Sequence, residues 1–302
     1  MIDTQESITA KLCAFARAYH SYFERRKIFD DYLAYDLMGK EQYDEIGQLI
    51  ERNYDLTALE ESAGFNGKVV YPAINRMISP IPLSRIAFAE EALDRFAAKS
   101  GTCQYVICGA GMDTFSFRNT NPAIEVFELD HPDTRRYKLD RVKALEWHIP
   151  QNVRFVPIDF SKDDLTQVLP LAGFAQDKPS FFAVLGVTYY LSHEVFEDTI
   201  QKISRLSAPG TQLVFDFPDE TFLSRQAVPR VRELTRITEK LGEPMEHGFS
   251  PAEIRAILTR HGFAVKVYQS PREIQSAYFA NRTDGQTAYE NIHFILAEKE
   301  GS

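Results

Sequence analysis

The chain has 302 residues, of which 44% are apolar, and its net charge is −9 with a pI near 5.4. That length and composition suit one large domain, or a core domain with an added lobe, with a buried core. The negative charge gives no general attraction to nucleic acid or to anionic membranes, so we expect neither as a partner.

Two further features bear on location. The longest apolar run, at 181–191, is too short to span a bilayer, and the N-terminus lacks the apolar segment of a signal peptide. The three cysteines (Cys13, Cys103 and Cys108) show no paired metal spacing. We therefore expect a cytoplasmic protein with reduced thiols and no metal site.

Residues 1–100 show long amphipathic patterns and no strand pattern, which predicts a helical N-terminal lobe that covers the substrate. His20 and Tyr22 in this lobe are candidate neighbours of a substrate. The proline-rich segment SPIPLS at 79–84 marks the end of the lobe, because proline removes backbone donors and restricts the residue before it.

From residue 101 to 302, short runs rich in Val, Ile and Phe alternate with segments of helical period. This pattern is typical of an α/β fold with a Rossmann-like, mostly parallel sheet. The seven predicted strands are 104–109, 124–130, 153–159, 181–187, 211–217, 263–269 and 292–298.

The helices between these strands have readable starts. Ser250, Pro251 and Glu253 form a capping box with proline at the first helical position, and Ser161 with Asp164 gives a weaker signal of the same kind. Helical patterns at about 219–261, between the fifth and sixth strands, predict a lid.

Two glycines, Gly109 and Gly111, end the first strand in the segment CGAGMDTFSFR. Glycine permits positive φ and lets a ligand approach the backbone. The acids Glu128 and Asp130 follow about 20 residues later, the separation at which an acid commonly binds a ribose. Together these signals favour a nucleotide site over an ordinary tight turn.

The third predicted strand leads into Asp159 and Phe160, which are suited to border an adenine at the same edge of the sheet. Asp159 alone would more simply cap the following helix. A dinucleotide dehydrogenase would carry a third glycine at the position of Thr114, so an NAD(P)-dependent oxidoreductase is the less favoured enzyme class.

These residues resemble the leucine carboxyl methyltransferase family of class I S-adenosylmethionine-dependent methyltransferases, a group that includes bacterial O-methyltransferases of polyketide biosynthesis. The resemblance covers nearly the whole chain. Its motifs are PAINR (72–76), QYVICGAGMDTFSFR (104–118), FELDHPDTRRYK (127–138), VPIDF (156–160) and LGVTYYL (185–191).

The resemblance implies a seven-stranded sheet whose last strand is antiparallel, with S-adenosylmethionine as cofactor. It implies that Arg85 binds the methionyl carboxylate, with Arg17 as a second basic partner, and that Gly109 lines the amino-acid portion. By the same resemblance Asp130 binds the ribose hydroxyls. Many members have an acid at the position of Leu185, so the partner of the cofactor's amino group stays unassigned.

The acceptor is constrained by chemistry rather than by a motif. A small-molecule or peptide carboxylate is already ionised at neutral pH, whereas a phenol or alcohol usually requires a general base. The sequence offers no compelling base; Tyr189, Tyr190 and His193 are candidates only for lining the substrate pocket. A cofactor-binding module without methyl transfer is the non-enzymatic alternative.

Overall fold

The structure, a computed structural model, describes residues 7–53 and 74–301. The first two residues of the PAINR motif, 72 and 73, lie outside the described residues. Within the described residues, no helix combines the length and the apolar character that a bilayer span requires.

Seven strands form one sheet in the order β3-β2-β1-β4-β5-β7-β6. All neighbouring pairs are parallel except those of β7, which runs antiparallel to both β5 and β6. The predicted fold class and strand count are confirmed. The strands are β1 (Cys103–Cys108), β2 (Ile124–Asp130), β3 (Val153–Pro157), β4 (Ser180–Val184), β5 (Gln212–Pro218), β6 (Phe263–Gln269) and β7 (Ile292–Lys299).

Helices precede the sheet and cover both of its faces. The α-helices of the described residues are α1 (Ile8–Phe23), α2 (Ala34–Met38), α3 (Lys40–Asn53), α4 (Pro80–Ser100), α5 (Phe115–Arg118), α6 (Pro132–Ala144), α7 (Leu165–Leu171), α8 (His193–Leu206), α9 (Pro229–Lys240), α10 (Pro251–Arg260) and α11 (Pro271–Tyr278). A π-helical turn (Ile74–Ile78) leads into α4, and a 3₁₀ turn (Thr188–Tyr190) follows β4.

The core lies on the two faces of the sheet. Every residue of β1 is buried, as expected for a central parallel strand that is covered on both sides. On one face, Phe88 and Phe96 of α4 pack with Tyr105 and Phe181. On the other face, Phe196 of α8 and the apolar residues of α10 pack with the opposite side of the same strands.

Two local predictions can be compared with the structure. Ser250 caps α10 as predicted, since its side chain accepts a hydrogen bond from the Glu253 N–H. The Ser161 prediction is wrong, because Asp164 itself caps α7 through the N–H of Thr166.

The helices within the predicted lobe and within the predicted lid have different packing partners. In the 219–261 segment, α9 reaches the cavity described below, whereas α10 packs against the sheet. Likewise α4 lies within the predicted lobe of residues 1–100, yet it contributes to the sheet core. The division into a covering lobe and a cofactor-binding domain stays a prediction.

Candidate functional site

A cavity of about 310 Å³ opens at the carboxyl ends of β1 and β4. The strand order reverses between these two strands, and ligands of open α/β sheets bind at such a point. The volume falls in the range of small-molecule sites. Eight of the residues predicted from the sequence line it, namely Arg17, Arg85, Gly109, Gly111, Asp130, Leu185, Tyr189 and Tyr190.

The glycine turn has the predicted backbone. Gly109 has a φ of 77° and Gly111 a φ of 52°, in the left-handed region that disfavours other residues. A Cβ on Gly109 would lie 3.0 Å from the Val187 side chain across the cavity. The turn therefore brings backbone, rather than side chain, to the cavity wall.

Asp130 lies directly beside this turn. Its carboxylate accepts hydrogen bonds from the Gly111 N–H and, at 2.7 Å, from the His131 N–H. Burial raises the pKa of Asp130, although the two backbone donors act in the opposite direction. The turn thus fixes the position of the carboxylate, as a ribose ligand would require.

Arg85 enters the cavity from the first turns of α4. Its Nη1 lies 3.3 Å from Asp216 Oδ2, and its Nη2 lies 3.6 Å from the Cys13 sulfur. The Nε atom is buried and has no partner among the described residues. Burial alone would lower the pKa of Arg85, but Asp216, with smaller effects from Cys13 and Tyr189, acts in the opposite direction and the pKa is raised. Arg85 is therefore charged at neutral pH, and its Nε–H donor has no partner among the described residues.

Asp216 is a site residue that our sequence reasoning missed. It lies in β5, its side chain is fully buried, and it bonds Arg85, Tyr189 and the Gly186 backbone. The signal was present in LVFDF, because a carboxylate inside an apolar strand has to be paired when the strand is buried.

Arg17 reaches the cavity from α1. Its Nε donates to Asp31 at 2.8 Å, and its Nη2 donates to the Met112 carbonyl at 2.6 Å. Asp31 is itself buried and also accepts from the Thr114 hydroxyl at 2.5 Å. The structure thus brings both predicted arginines to one cavity, each anchored by a buried carboxylate.

Glu128 does not line the cavity. Its carboxylate accepts from Lys138 and, at 2.5 Å, from the Ser116 hydroxyl, and all of these groups are buried. The acid therefore serves an internal ion pair between β2 and α6, and of the two predicted acids Asp130 is the one at the cavity.

Asp159 and Phe160 also lie outside the cavity wall. Asp159 accepts from the backbone N–H and hydroxyl of Ser161 and pairs with Lys162 at 2.8 Å, while Phe160 is exposed. The bond to Lys162 and then those from Ser161 lower the pKa of Asp159. These contacts shape the turn after β3, so a role beside adenine stays a prediction.

Tyr189 and Tyr190 line the cavity in a single 3₁₀ turn. Tyr189 donates to Asp216 at 2.7 Å, and Tyr190 donates to the Thr9 hydroxyl at 3.2 Å. His193 begins α8 as expected, but its ring contacts Glu253 and Phe249 rather than the cavity.

The start of the N-terminal helix α1 forms part of the cavity wall. Ser7, Thr9, Ala10 and Cys13 line it, and the carboxylate of Glu243 accepts from the backbone N–H groups of Ile8, at 2.7 Å, and Thr9, at 3.1 Å. A carboxylate at a helix N-terminus is stabilised by the orphan donors and the helix dipole. Glu243 therefore joins α1 to the segment that follows α9.

His20 and Tyr22 are not brought to the cavity, and a role as substrate neighbours stays a prediction. The side chain of Tyr22 is 76% exposed, whereas His20 is fully buried and its Nε2 accepts from the Ile28 N–H at 2.8 Å. His20 shares a face of α1 with Cys13 and Arg17, but it lies two turns beyond Cys13, and the cavity wall does not extend that far along the helix.

The buried ring of His20 predicts a pH dependence of stability. Burial, with smaller effects from Arg282 and Lys27, lowers the pKa of His20 from 6.5 to about 4. Because the unfolded chain takes up this proton first, the contribution is complete above pH 6.5 and is lost as the pH falls to about 4. The loss is on the order of 1 to 3 kcal/mol.

Denaturant unfolding of wild type and His20→Gln at pH 7.0, 5.5 and 4.5 measures this effect. The difference in free energy of unfolding between the two proteins should shrink as the pH falls. His148→Gln, at an exposed histidine, is the control and should leave the profile unchanged. A constant difference for His20→Gln would contradict the assignment.

The fold and the site together define a class. A mostly parallel seven-stranded sheet with an antiparallel β7, and a cavity at the ends of β1 and β4 lined by the glycine turn and Asp130, form the class I methyltransferase fold. Within that class, the chain belongs to the leucine carboxyl methyltransferase family, whose profile matches residues 10–204. The family prediction is confirmed, whereas the polyketide branch stays a prediction.

The relatives agree with this assignment. The chain is 34% identical over 306 residues to YktD of Bacillus subtilis strain 168, named as a candidate S-adenosyl-L-methionine-dependent methyltransferase, with 99% of this chain and 100% of that protein covered. A protein of Mycolicibacterium smegmatis with a similar name is 30% identical over 209 residues, covering 69% of this chain and 65% of that protein.

Solved structures share the fold at low sequence identity. A duf574 family protein from Streptomyces avermitilis matches with a TM-score of 0.57 and 13% identity, covering 99% of this chain and 100% of that one. A candidate methyltransferase from Thermobifida fusca YX matches with a TM-score of 0.53 and 17% identity, covering 78% and 90% of the two chains.

Proposed function

We propose that the chain is an S-adenosylmethionine-dependent O-methyltransferase that methylates a carboxylate of a small molecule or peptide. The observation that carries the proposal is Arg85, a largely buried cation whose buried Nε has no partner among the described residues, at the same cavity as the glycine turn and Asp130. An arginine fork suits a carboxylate, and a turn beside an acid suits a ribose.

The cavity residues fit the parts of this cofactor. Arg85, with Arg17 as second cation, would hold the methionyl carboxylate, and the open backbone of Gly109 would border the amino-acid portion. Asp130 would accept from the ribose hydroxyls. Leu185 lines the cavity without a charge, so it offers no carboxylate to the cofactor's amino group.

When bound, the cofactor supplies a methyl group on a positively charged sulfur. The protein has to align the acceptor oxygen with that methyl carbon and to exclude water, so that transfer proceeds by in-line displacement. The start of α1 covers the cavity, and Met77, Ile81, Leu234 and Met245 give it apolar walls. These groups orient and desolvate; they exchange no proton.

The acceptor is favoured as a carboxylate because the described cavity wall offers no suitable base. The described wall contains no histidine. Its two acids, Asp113 and Asp130, lie beside the glycine turn, where the cofactor rather than the acceptor would bind. The pKa of Tyr189 and Tyr190 is raised, chiefly by burial, so both phenols stay protonated at neutral pH. An acceptor that is already ionised needs no such group.

The proposal is tested by supplying cofactor labelled in its methyl group with a panel of carboxylic acids and phenols. The expected product releases volatile labelled methanol in mild alkali, as methyl esters do and aryl ethers do not. Tyr190→Phe is the matched control, and its rate should stay within about threefold of wild type because no phenol acts as base.

The other outcomes separate the alternatives. Alkali-stable label would make a phenol or alcohol the acceptor. Binding of S-adenosylhomocysteine without any labelled product would favour the non-catalytic module. Thermal stabilisation by NADH but not by S-adenosylhomocysteine would favour the oxidoreductase, since a ligand stabilises the state that it binds.

A further inference from the structure

Asp216 lies behind the cavity wall rather than in it. Its side chain is fully buried in β5 and does not line the cavity. All three groups that donate to its carboxylate belong to residues of the cavity wall, namely Arg85, Gly186 and Tyr189. One carboxylate thus joins α4, the turn after β4 and the 3₁₀ turn.

The two carboxylate oxygens have different partners. Oδ1 accepts from the Gly186 N–H at 2.7 Å, whereas Oδ2 accepts from the Tyr189 hydroxyl at 2.7 Å and from Arg85 Nη1 at 3.3 Å. The Asp216 carbonyl also accepts from the Thr188 hydroxyl at 2.6 Å. A buried carboxylate is tolerated only when donors satisfy it in this way.

The Arg85 guanidinium also packs against Gly186. A Cβ built on Gly186 would lie 2.5 Å from both Nη1 and Nη2, so a glycine there leaves space that the guanidinium fills. Asp216 and the Gly186 backbone, which are hydrogen-bonded to each other, therefore fix together where Arg85 lies, while its Nε has no partner among the described residues.

We propose that Asp216 is a positioning residue for cofactor binding, which acts through Arg85 and touches no ligand itself. The proposal rests on the proposed role of Arg85 toward a carboxylate. It assigns to Asp216 the task of holding the guanidinium at the cavity wall, where the carboxylate of the ligand would meet it, and of setting the adjacent Tyr189 hydroxyl in the same arrangement.

A purely structural role would give a different pattern. If Asp216 only stabilises the packing of β4 and β5, its replacement weakens all ligands of the cavity to a similar extent. If it acts through Arg85, its replacement weakens ligands with an amino-acid carboxylate and spares ligands without one. S-adenosylhomocysteine and methylthioadenosine form such a pair, because they share the thioadenosine and only the first has the amino-acid portion that carries the carboxylate.

The experiment measures both dissociation constants by calorimetry for wild type, Asp216→Asn, Arg85→Ala and the double variant. Asp216→Asn should weaken S-adenosylhomocysteine at least tenfold and methylthioadenosine less than about threefold. The double variant should bind S-adenosylhomocysteine no more weakly than Arg85→Ala alone, since effects through one residue do not add.

Asp219→Asn is the matched control. It makes the same substitution just beyond the end of β5, where Asp219 contacts His293 at 3.2 Å outside the cavity wall, and it should leave both constants unchanged. Should Asp216→Asn fail to fold, Asp216→Glu keeps the charge but shifts it by one methylene group, and it should show the same selective loss.

Each result supports or overturns the assignment. Equal losses for both ligands, or additive losses in the double variant, would show a structural role for Asp216 and leave the role of Arg85 intact. Full binding by Arg85→Ala would overturn the carboxylate role together with the positioning role. A crystal structure of Asp216→Asn without ligand gives an independent readout: a displaced guanidinium is expected, and an unmoved one would overturn the proposal.

Discussion

Arg85→Ala should weaken S-adenosylhomocysteine by roughly 10- to 100-fold, the equivalent of one good charged hydrogen-bonding group. Adenosine and methylthioadenosine should bind almost as they do to wild type, because neither has the carboxylate that the guanidinium would meet. The selectivity follows from the position of Arg85, which lines the cavity and is paired there with Asp216. Calorimetry of the three ligands in one buffer measures it.

The same substitution leaves Asp216 buried without its cation, which commonly costs about 3–5 kcal/mol of stability. Arg85→Lys avoids much of this cost and should recover only part of the affinity, since an ammonium cannot form two parallel bonds to a carboxylate. Arg282→Ala is the control: it removes another buried arginine, paired at 3.1 Å with Asp284 and outside the cavity. Equal losses for all ligands in Arg85→Ala would make Arg85 a structural residue.

The sequence predicted the features that depend on strand ends. Runs of apolar residues locate the seven strands, and parallel strands bring their carboxyl ends to one edge, so Gly109 and Asp130 had to lie near each other. The two glycines needed no tertiary information, because positive φ is a local property. The resemblance to a family added Arg85 and Arg17, which no local pattern distinguishes from solvated arginines.

Features that depend on side-chain direction were predicted less well. Glu128 and Asp130 are two residues apart in β2, so both side chains lie on the same face of the sheet and the alternation along the strand does not tell them apart. Lys138 of α6 decides the matter by pairing with Glu128 inside the protein. For His20 the open question was position along α1, since it shares a face with Cys13 but the cavity wall ends before it.

Asp216 and Glu243 could not be predicted as parts of the site, because their partners are remote in the chain. Asp216 bonds Arg85 across 131 residues, and Glu243 bonds the start of α1 across 235 residues. Pairing at such separations is fixed by the packing of elements, which a single sequence does not display. The buried carboxylate in β5 signals that a partner exists without identifying it.

Gly186→Ala should selectively impair binding of S-adenosylhomocysteine, because the new Cβ would occupy the space of the Arg85 guanidinium, 2.5 Å from both Nη atoms. Gly186 also has a φ of 71°, so any side chain there adds backbone strain of roughly 1–2 kcal/mol. The end of a long side chain moves more readily than backbone. We therefore expect the fold to survive and Arg85 to be displaced, with a loss in affinity of at least tenfold.

Gly210→Ala separates the two causes. Gly210 has a φ of 84° and its Cβ would meet nothing within 4 Å, so it carries the backbone strain without the contact. Both variants should lose free energy of unfolding through backbone strain, measured by denaturant titration, with the larger loss in Gly186→Ala because Arg85 moves away from Asp216, whereas only Gly186→Ala should lose affinity for S-adenosylhomocysteine. Normal affinity in Gly186→Ala would show that the guanidinium tolerates displacement, and that the close packing of Arg85 on Gly186 is not what holds the carboxylate site in place.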